Sequence, residues 1–262
     1  MSERKILTDS YYKTYLSLLD IAIEKLFEAV KETEWNAKNF TFFTAVSVMA
    51  SSKIEGEQLE VDSYVKHKIL NIDYLPNLTE KPNDLYKAYE FARDNTLSFE
   101  NFLTAHSIAT LHLLPQNQRG KIRTGNMLIM EQQTNRIQYE AAISGIVKKE
   151  FELFWKELSL LINLDLNIEE TFYYAAFIHL AFVKIHPFDD GNGRTGRLLE
   201  KWFLAAKLGQ KAWFIASENY YYQNLQTYYH NLARVGLFYE ALNYEKGLPF
   251  LQMLPNALII NK

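Results

Sequence analysis

The chain has no cysteine, which excludes disulfides and thiolate metal centres. It has little glycine and proline, 10 and 6 in 262 residues, below the roughly 7% and 5% of ordinary proteins. Few turn formers in a chain that is 48% apolar point to long helices joined by short connections, and exclude a disordered polypeptide. Charge of either sign is not in excess: 28 basic residues face 31 acidic ones, for a net −3. That is not the basic balance of a nucleic-acid binder, so no nucleic-acid partner is expected. Long hydrophobic runs are also missing. The longest, around Ala175 to Val183, is interrupted by His179 and too short to cross a bilayer. Met1 to Lys5 has no signal-peptide core. A cytoplasmic protein with no membrane partner is expected.

The periodicity is helical almost throughout. Tyr15, Leu18, Leu19, Ala22, Ile23, Leu26, Phe27 and Val30 predict one amphipathic helix over 11–32. A second helix is predicted over 40–54, closed by Gly56, and a third over 57–70. Pro76 and Pro82 with Asn71, Asn77 and Asn83 read as a connection over 71–84. Helices follow over 83–93 and 99–113. Met127–Met130 and Arg136–Tyr139, around a polar Gln132–Asn135 turn, predict a β-hairpin. Helical periodicity returns over 141–161, 169–185 and 193–207, stopping at Gly209, and persists through the aromatic-rich last fifty residues.

Chemistry concentrates in His186-Pro187-Phe188-Asp189-Asp190-Gly191-Asn192-Gly193-Arg194-Thr195-Gly196-Arg197. His186 ends an apolar helix that Pro187 stops. Gly191-Asn192-Gly193 makes a tight loop, and its N–H groups join the positive end of the next helix in an anion site. Arg194 and Arg197 share one helix face at i, i+3, the spacing for two phosphate groups. Asp190 is a hard-oxygen ligand for Mg²⁺, and His186 is the group suited to accept a proton near neutrality. Each feature alone is ordinary: a core histidine, a solvated arginine pair, a turn. Their order and density make a site. The Gly191-x-Gly193-x-x-Gly196 spelling is coincidental, because a helix rather than a strand precedes it. The near P-loop has Arg197 and Leu198 where Lys and Ser/Thr are needed.

This segment resembles the Fic family motif H-P-F-x-[D/E]-G-N-G-R-x-x-R at every position, and Gly120-Lys121-Ile122-Arg123 looks like a further part of that core. The resemblance implies an all-α helical bundle with one small β-hairpin flap. It would have an N-terminal region over 1–95, carrying an inhibitory helix at about 40–56, and a catalytic core over 96–262. It implies transfer of AMP from ATP to a Ser, Thr or Tyr hydroxyl of a target protein, with Mg²⁺ as cofactor and pyrophosphate released. His186 would be the base and Asp190 the metal ligand. Gly191, Asn192 and Gly193 would form the anion hole, Arg194 and Arg197 would contact phosphates, and Phe188 would anchor the loop. Gly193 stands where a phosphorylating relative has Lys, which favours AMP transfer. Met127, Leu128, Ile129 and Met130 would form the flap strand that docks the target. Tyr221, Tyr222 and Tyr229 are candidates for the adenine pocket.

Ser51-Ser52-Lys53-Ile54-Glu55-Gly56 resembles the family's inhibitory motif [S/T]-x-x-x-E-[G/N]. The resemblance implies that Glu55, one helical turn from Ser51, pairs with Arg197 and misplaces the γ-phosphate. Competing readings are AMP removal with Glu55 positioning water, a catalytically silent nucleotide-binding module, and a metal phosphohydrolase, for which further His and Asp ligands are lacking. The expected partners are ATP and a target protein that the sequence does not name. Dimer control of the brake in some relatives makes a homodimer a further expectation.

Overall fold

The computed structural model describes residues 4–30, 37–130 and 137–259. Its centre is α8, Ile168–Ile185, which is buried along nearly its whole length. A helix apolar on all faces belongs in the interior, and this one starts from a capping box. Asn167 Oδ1 accepts the Glu170 N–H at 2.8 Å while Glu170 returns a bond to the Asn167 N–H at 2.9 Å. Beside it lies α9, Asn192–Leu208, ending at Gly209. Around this pair pack α3 (Ala37–Ile54), α5 (Pro76–Asp94), α6 (Phe99–Ala109) and α7 (Val147–Asn163). The apolar core runs unbroken from Tyr15 and Phe40 to Phe172 and Trp213. Among the described residues no helix is long and apolar enough to cross a membrane.

A two-stranded antiparallel sheet packs on the bundle through Tyr139, which is buried and whose hydroxyl donates to Lys184 O at 2.7 Å. In it β1 (Leu128–Met130) pairs with β2 (Ile137–Glu140), Leu128 opposite Glu140. The turn expected at 132–135 lies outside the described residues. The far edge of β2 is met at its last residue, where the Glu140 N–H donates to Leu237 O at 2.8 Å.

Four sequence expectations need correction. The single helix over 11–32 is two helices, α1 (Tyr12–Ser17) and α2 (Ile23–Ala29). The break lets Tyr15 and Ile23 both bury, whereas Leu18, on the apolar stripe of one continuous helix, is 50% exposed. The third helix starts at Val61 rather than 57, because Gly56 and Glu57 are used to close α3. The stretch 71–84 is not a connection: α5 begins at Pro76 and carries Pro82 inside. Pro76 sits where a helix tolerates proline. Pro82 forfeits a bond, against burial of itself, Thr79, Leu85 and Tyr86. The helix expected from 141 starts at Val147, because the Ala141 N–H donates to Met127 O and Ala142 O accepts from Arg123.

Candidate active site

The loop between α8 and α9 is built around a strained residue. His186 closes α8 in the left-handed region, φ 52° and ψ 61°, which costs a side-chain-bearing residue of order 1–2 kcal/mol. Arg123, buried and 63 positions upstream, holds it there. Its Nε donates to His186 O at 2.7 Å, one Nη to Gly125 O at 2.6 Å and the other to Ala142 O, while its own N–H donates to Pro187 O at 2.9 Å. One guanidinium thus ties the base of the hairpin to the loop between α8 and α9. His186 Nδ1 lies 3.1 Å from Val183 O. A carbonyl only accepts, so Nδ1 carries the hydrogen and Nε2 is left as the basic nitrogen. Burial pushes the His186 pKa down to about 4, so the ring is neutral at physiological pH.

The loop's underside is fixed by side chains rather than by glycine alone. Asn192 accepts the Phe188 N–H at 3.0 Å and donates to Phe188 O at 2.8 Å. Its side chain braces the loop, so only its backbone is free for an anion. Phe188 is buried among Phe102, Phe151 and Phe182 and stacks on His106 at 3.7 Å. His106 Nδ1 accepts the Gly120 N–H at 3.0 Å, which leaves Nε2–H to donate to Asp190 O at 2.9 Å. Burial pushes the His106 pKa to about 4, so this ring is a neutral brace.

The first helical bond of α9 runs from the Thr195 N–H to Gly191 O. The N–H groups of 192, 193 and 194 therefore precede the ladder at the positive end of a 17-residue helix. Asp190 is exposed at its mouth, with Oδ1 accepting the Gly191 N–H at 2.6 Å. Its second oxygen is left open. No group of three acidic or histidine residues among the described ones could hold a metal alone. One carboxylate beside a helix N-terminus is a donor set that suits Mg²⁺, which binds through one or two carboxylates plus phosphates and water.

The anion site is covered by the end of α3. Gly56 at φ 89° closes that helix, with the Gly56 N–H on Lys53 O and the Glu57 N–H on Ser52 O. Those two bonds form a Schellman motif, for which glycine is the usual residue. The termination delivers Glu55 onto Arg197, Oε1 to Nη2 2.6 Å. Arg197 is 1% exposed and also donates to Ser51 Oγ at 2.8 Å, Ser51 O at 3.2 Å and Tyr228 OH at 3.2 Å. Burial alone would raise the Glu55 pKa, but Arg197 and then Arg194 hold it below the ordinary carboxylate value. A Cβ built on Gly193 would fall 2.2 Å from Glu55 Oε1. The carboxylate therefore rests on the anion loop itself as well as on an arginine.

Contact between α3 and α9 continues as an antiparallel polar seam. Ser51 and Glu55 meet Arg197, and Ser47 accepts from Lys201 Nζ at 2.8 Å. Lys201 is in turn paired with buried Glu218, which accepts from Tyr89 OH at 2.6 Å. On the opposite side of Arg197, Tyr228 OH lies 3.1 Å from His179 Nε2, and His179 Nδ1 lies 2.8 Å from Glu200. His179 is a core residue, as its apolar surroundings in the sequence suggest.

The adenine-pocket candidates separate. Tyr221 is wholly buried with its hydroxyl on Glu200 at 2.8 Å. Tyr222 is half-buried, with Lys53 Nζ 5.9 Å from its ring centroid. Tyr229 donates to Ile54 O at 3.0 Å and so pins the end of α3. On the flap, Leu128 and Met130 are exposed while Met127 and Ile129 are half-buried.

Arg123, His106, Tyr228 and Glu57 went unassigned in the sequence. Arg123 lay in the Gly120–Arg123 segment that resembles the family core, and Glu57 had a local signal, a second acid just past Gly56. It accepts from Arg194 Nη2 at 3.0 Å.

Comparison with known proteins places this arrangement. Residues 96–204 match the sequence profile of the Fic/DOC family. A protein adenylyltransferase Fic of Culex quinquefasciatus is 56% identical over 39 residues, covering 13% of this chain and 8% of that relative. Among solved structures, a Fic family protein from Desulfovibrio desulfuricans superposes with a TM-score of 0.75 at 18% identity, over 99% of this chain and 76% of that one. A Fic domain containing signaling protein from Bacteroides thetaiotaomicron superposes at 0.69 and 18% identity, over 96% and 94%. Fic-1 of C. elegans superposes at 0.61 and 15% identity, over 95% and 69%. The fold is shared along the chain, and the detailed sequence likeness is short.

Proposed function

We propose that this chain, which carries a Fic/DOC family domain over residues 96–204, is an autoinhibited protein adenylyltransferase that moves AMP from ATP to a hydroxyl of a target protein. The observation that carries this reading is the Glu55 carboxylate resting on Gly193 and Arg197 at once. A negative group there is a stand-in for phosphate oxygen.

In the open state the N–H groups of 192–194 and the guanidinium of Arg197 would receive the phosphates, and Asp190 would hold Mg²⁺. The metal would supply charge neutralisation on the polyphosphate. The target hydroxyl oxygen attacks the α-phosphorus, and its proton passes to His186 Nε2. The bond from the α-phosphorus to the bridging oxygen breaks, and pyrophosphate leaves. The bond from Nδ1 to Val183 O keeps the imidazole oriented through the transfer, and the rest of the acceleration comes from positioning and charge. The target segment would add to the open side of β1, since on the far side of β2 Glu140 already bonds Leu237.

The experiment that tests this is incubation of the Glu55→Gly protein with Mg²⁺ and ATP, followed by intact-mass and peptide mass spectrometry. Gain of one AMP on a hydroxyl side chain is the expected result. No adduct on the protein or on any candidate target would overturn the reading.

A pH profile gives a second check. His186 is active as a base only when neutral, and its pKa is lowered to about 4. Transfer by the released enzyme should be flat from pH 6 to 8 on this account and fall only toward pH 4. A half-drop near the ordinary imidazole value, about 6.5, would show that the neutral, buried histidine is not the acting base.

A further inference from the structure

We propose that Glu57 is a second latch, which sequesters Arg194 and thereby weakens binding of the nucleotide's diphosphate portion independently of the γ-phosphate. This rests on the reading of Arg194 as a phosphate contact. Glu57 and Arg194 are 12% and 5% exposed, and their 3.0 Å bond lies on the first turn of α9, beside the anion loop. Glu55 takes one motif arginine and Glu57 the other, so neither guanidinium faces an open site.

Two further observations make this an exchangeable contact rather than a fixed structural pair. The first is that Arg194 Nε is buried with no partner among the described residues. Glu57 satisfies one edge position of a fork that pairs best with two adjacent oxygens. A phosphate group presents those two oxygens, so it satisfies the guanidinium better than the single Glu57 contact does. The second is that Glu57 Oε1 also accepts from Lys81 Nζ at 3.1 Å, and Lys81 is 39% exposed. When Arg194 turns to a phosphate, Glu57 keeps a cation. Its release does not strand a carboxylate, which is what usually makes a half-buried ion pair costly to open. The Schellman closure at Gly56 puts Glu57 beyond the last turn of α3, so its side chain can swing without unwinding that helix.

ADP separates this latch from the Glu55 brake, because it lacks the γ-phosphate. Its dissociation constant, measured by titration calorimetry with Mg²⁺, should fall about ten-fold in Glu57→Gln, the scale of one regained hydrogen bond to a charged group. The same gain should appear when Glu57→Gln is added to Glu55→Gln. Lys81→Met should act in the opposite sense and weaken ADP binding, because Glu57 is then left with Arg194 alone. Opposite signs from two neighbours exclude a general loosening of the fold. Unchanged ADP affinity in Glu57→Gln, or weaker binding in both variants, would overturn the latch. The readout is binding and not transfer, so loss of the latch would leave AMP transfer by Glu55→Gly standing. Absence of transfer would in turn leave the ADP result intact.

Discussion

Replacing Glu55 by glycine is expected to raise AMP transfer about a hundred-fold. Arg197 has a full set of donors and spends one of them on Glu55 at 2.6 Å. Electrostatic groups aimed at developing phosphate or oxyanion charge are worth about 10²–10³ in rate, and the closed state withholds this one. Glu55 also stands over Gly193, where phosphate must approach the backbone. Removing the side chain corrects both defects at once. Arg197 keeps Ser51 and Tyr228 as partners, so the fold should survive. It should survive at a cost, because truncating one half of a buried pair leaves the other charge undercompensated. Glu55 is 30% exposed, which reduces that penalty to about 1–2 kcal/mol and the melting temperature by about 4 °C. Activity up and stability down is the signature of a contact kept for control. Equal transfer by the wild type and Glu55→Gly at matched concentration would remove the brake from the account.

Loss of His186 is expected to have the largest negative effect. General base catalysis typically contributes about 10²–10⁴ in rate, so the Glu55→Gly protein should lose that factor when His186 is also replaced. The choice of replacement matters. His186 sits at φ 52°, where alanine is disfavoured and asparagine is tolerated. His186→Asn removes the base and keeps the backbone, whereas His186→Ala adds strain at a point that Arg123 holds through His186 O and Pro187 O. The two variants should be equally inactive, and the asparagine protein should be the more stable in denaturant. Full transfer by His186→Asn would show that another group takes the proton.

The legibility of the site followed sequence distance. The twelve residues from His186 to Arg197 are contiguous, and their types report their chemistry wherever the chain goes. Glu55 lies 142 positions from Arg197 and was legible only through a resemblance. His106 and Arg123 were not assigned roles. Their partners are main-chain oxygens of Asp190 and His186, 84 and 63 positions away, and a side chain that grips backbone leaves no complementary residue to find. Tyr221 shows the limit of composition: it is the middle of three consecutive tyrosines, and nothing local announced that its buried hydroxyl would donate to Glu200. In the fold, α8 and α9 were legible because their caps and apolar patterns agree. Pro76 and Pro82 misled, because their helix is held by packing of Leu85 and Tyr86 rather than by local preference. The break after Ser17 had no local mark either, and came from two short helices each finding the surface of α8.

The central claim is that a centre built for attack at the α-phosphorus is held closed by Glu55. The most direct measurement is retention of label by the Glu55→Gly protein and its targets, using ATP labelled at either the α- or the γ-phosphorus. Label should be retained from the α position alone, at a level about a hundred-fold above wild type and abolished in Glu55→Gly/His186→Asn. Retention from the γ position, or equal α-label in wild type and Glu55→Gly, would contradict it.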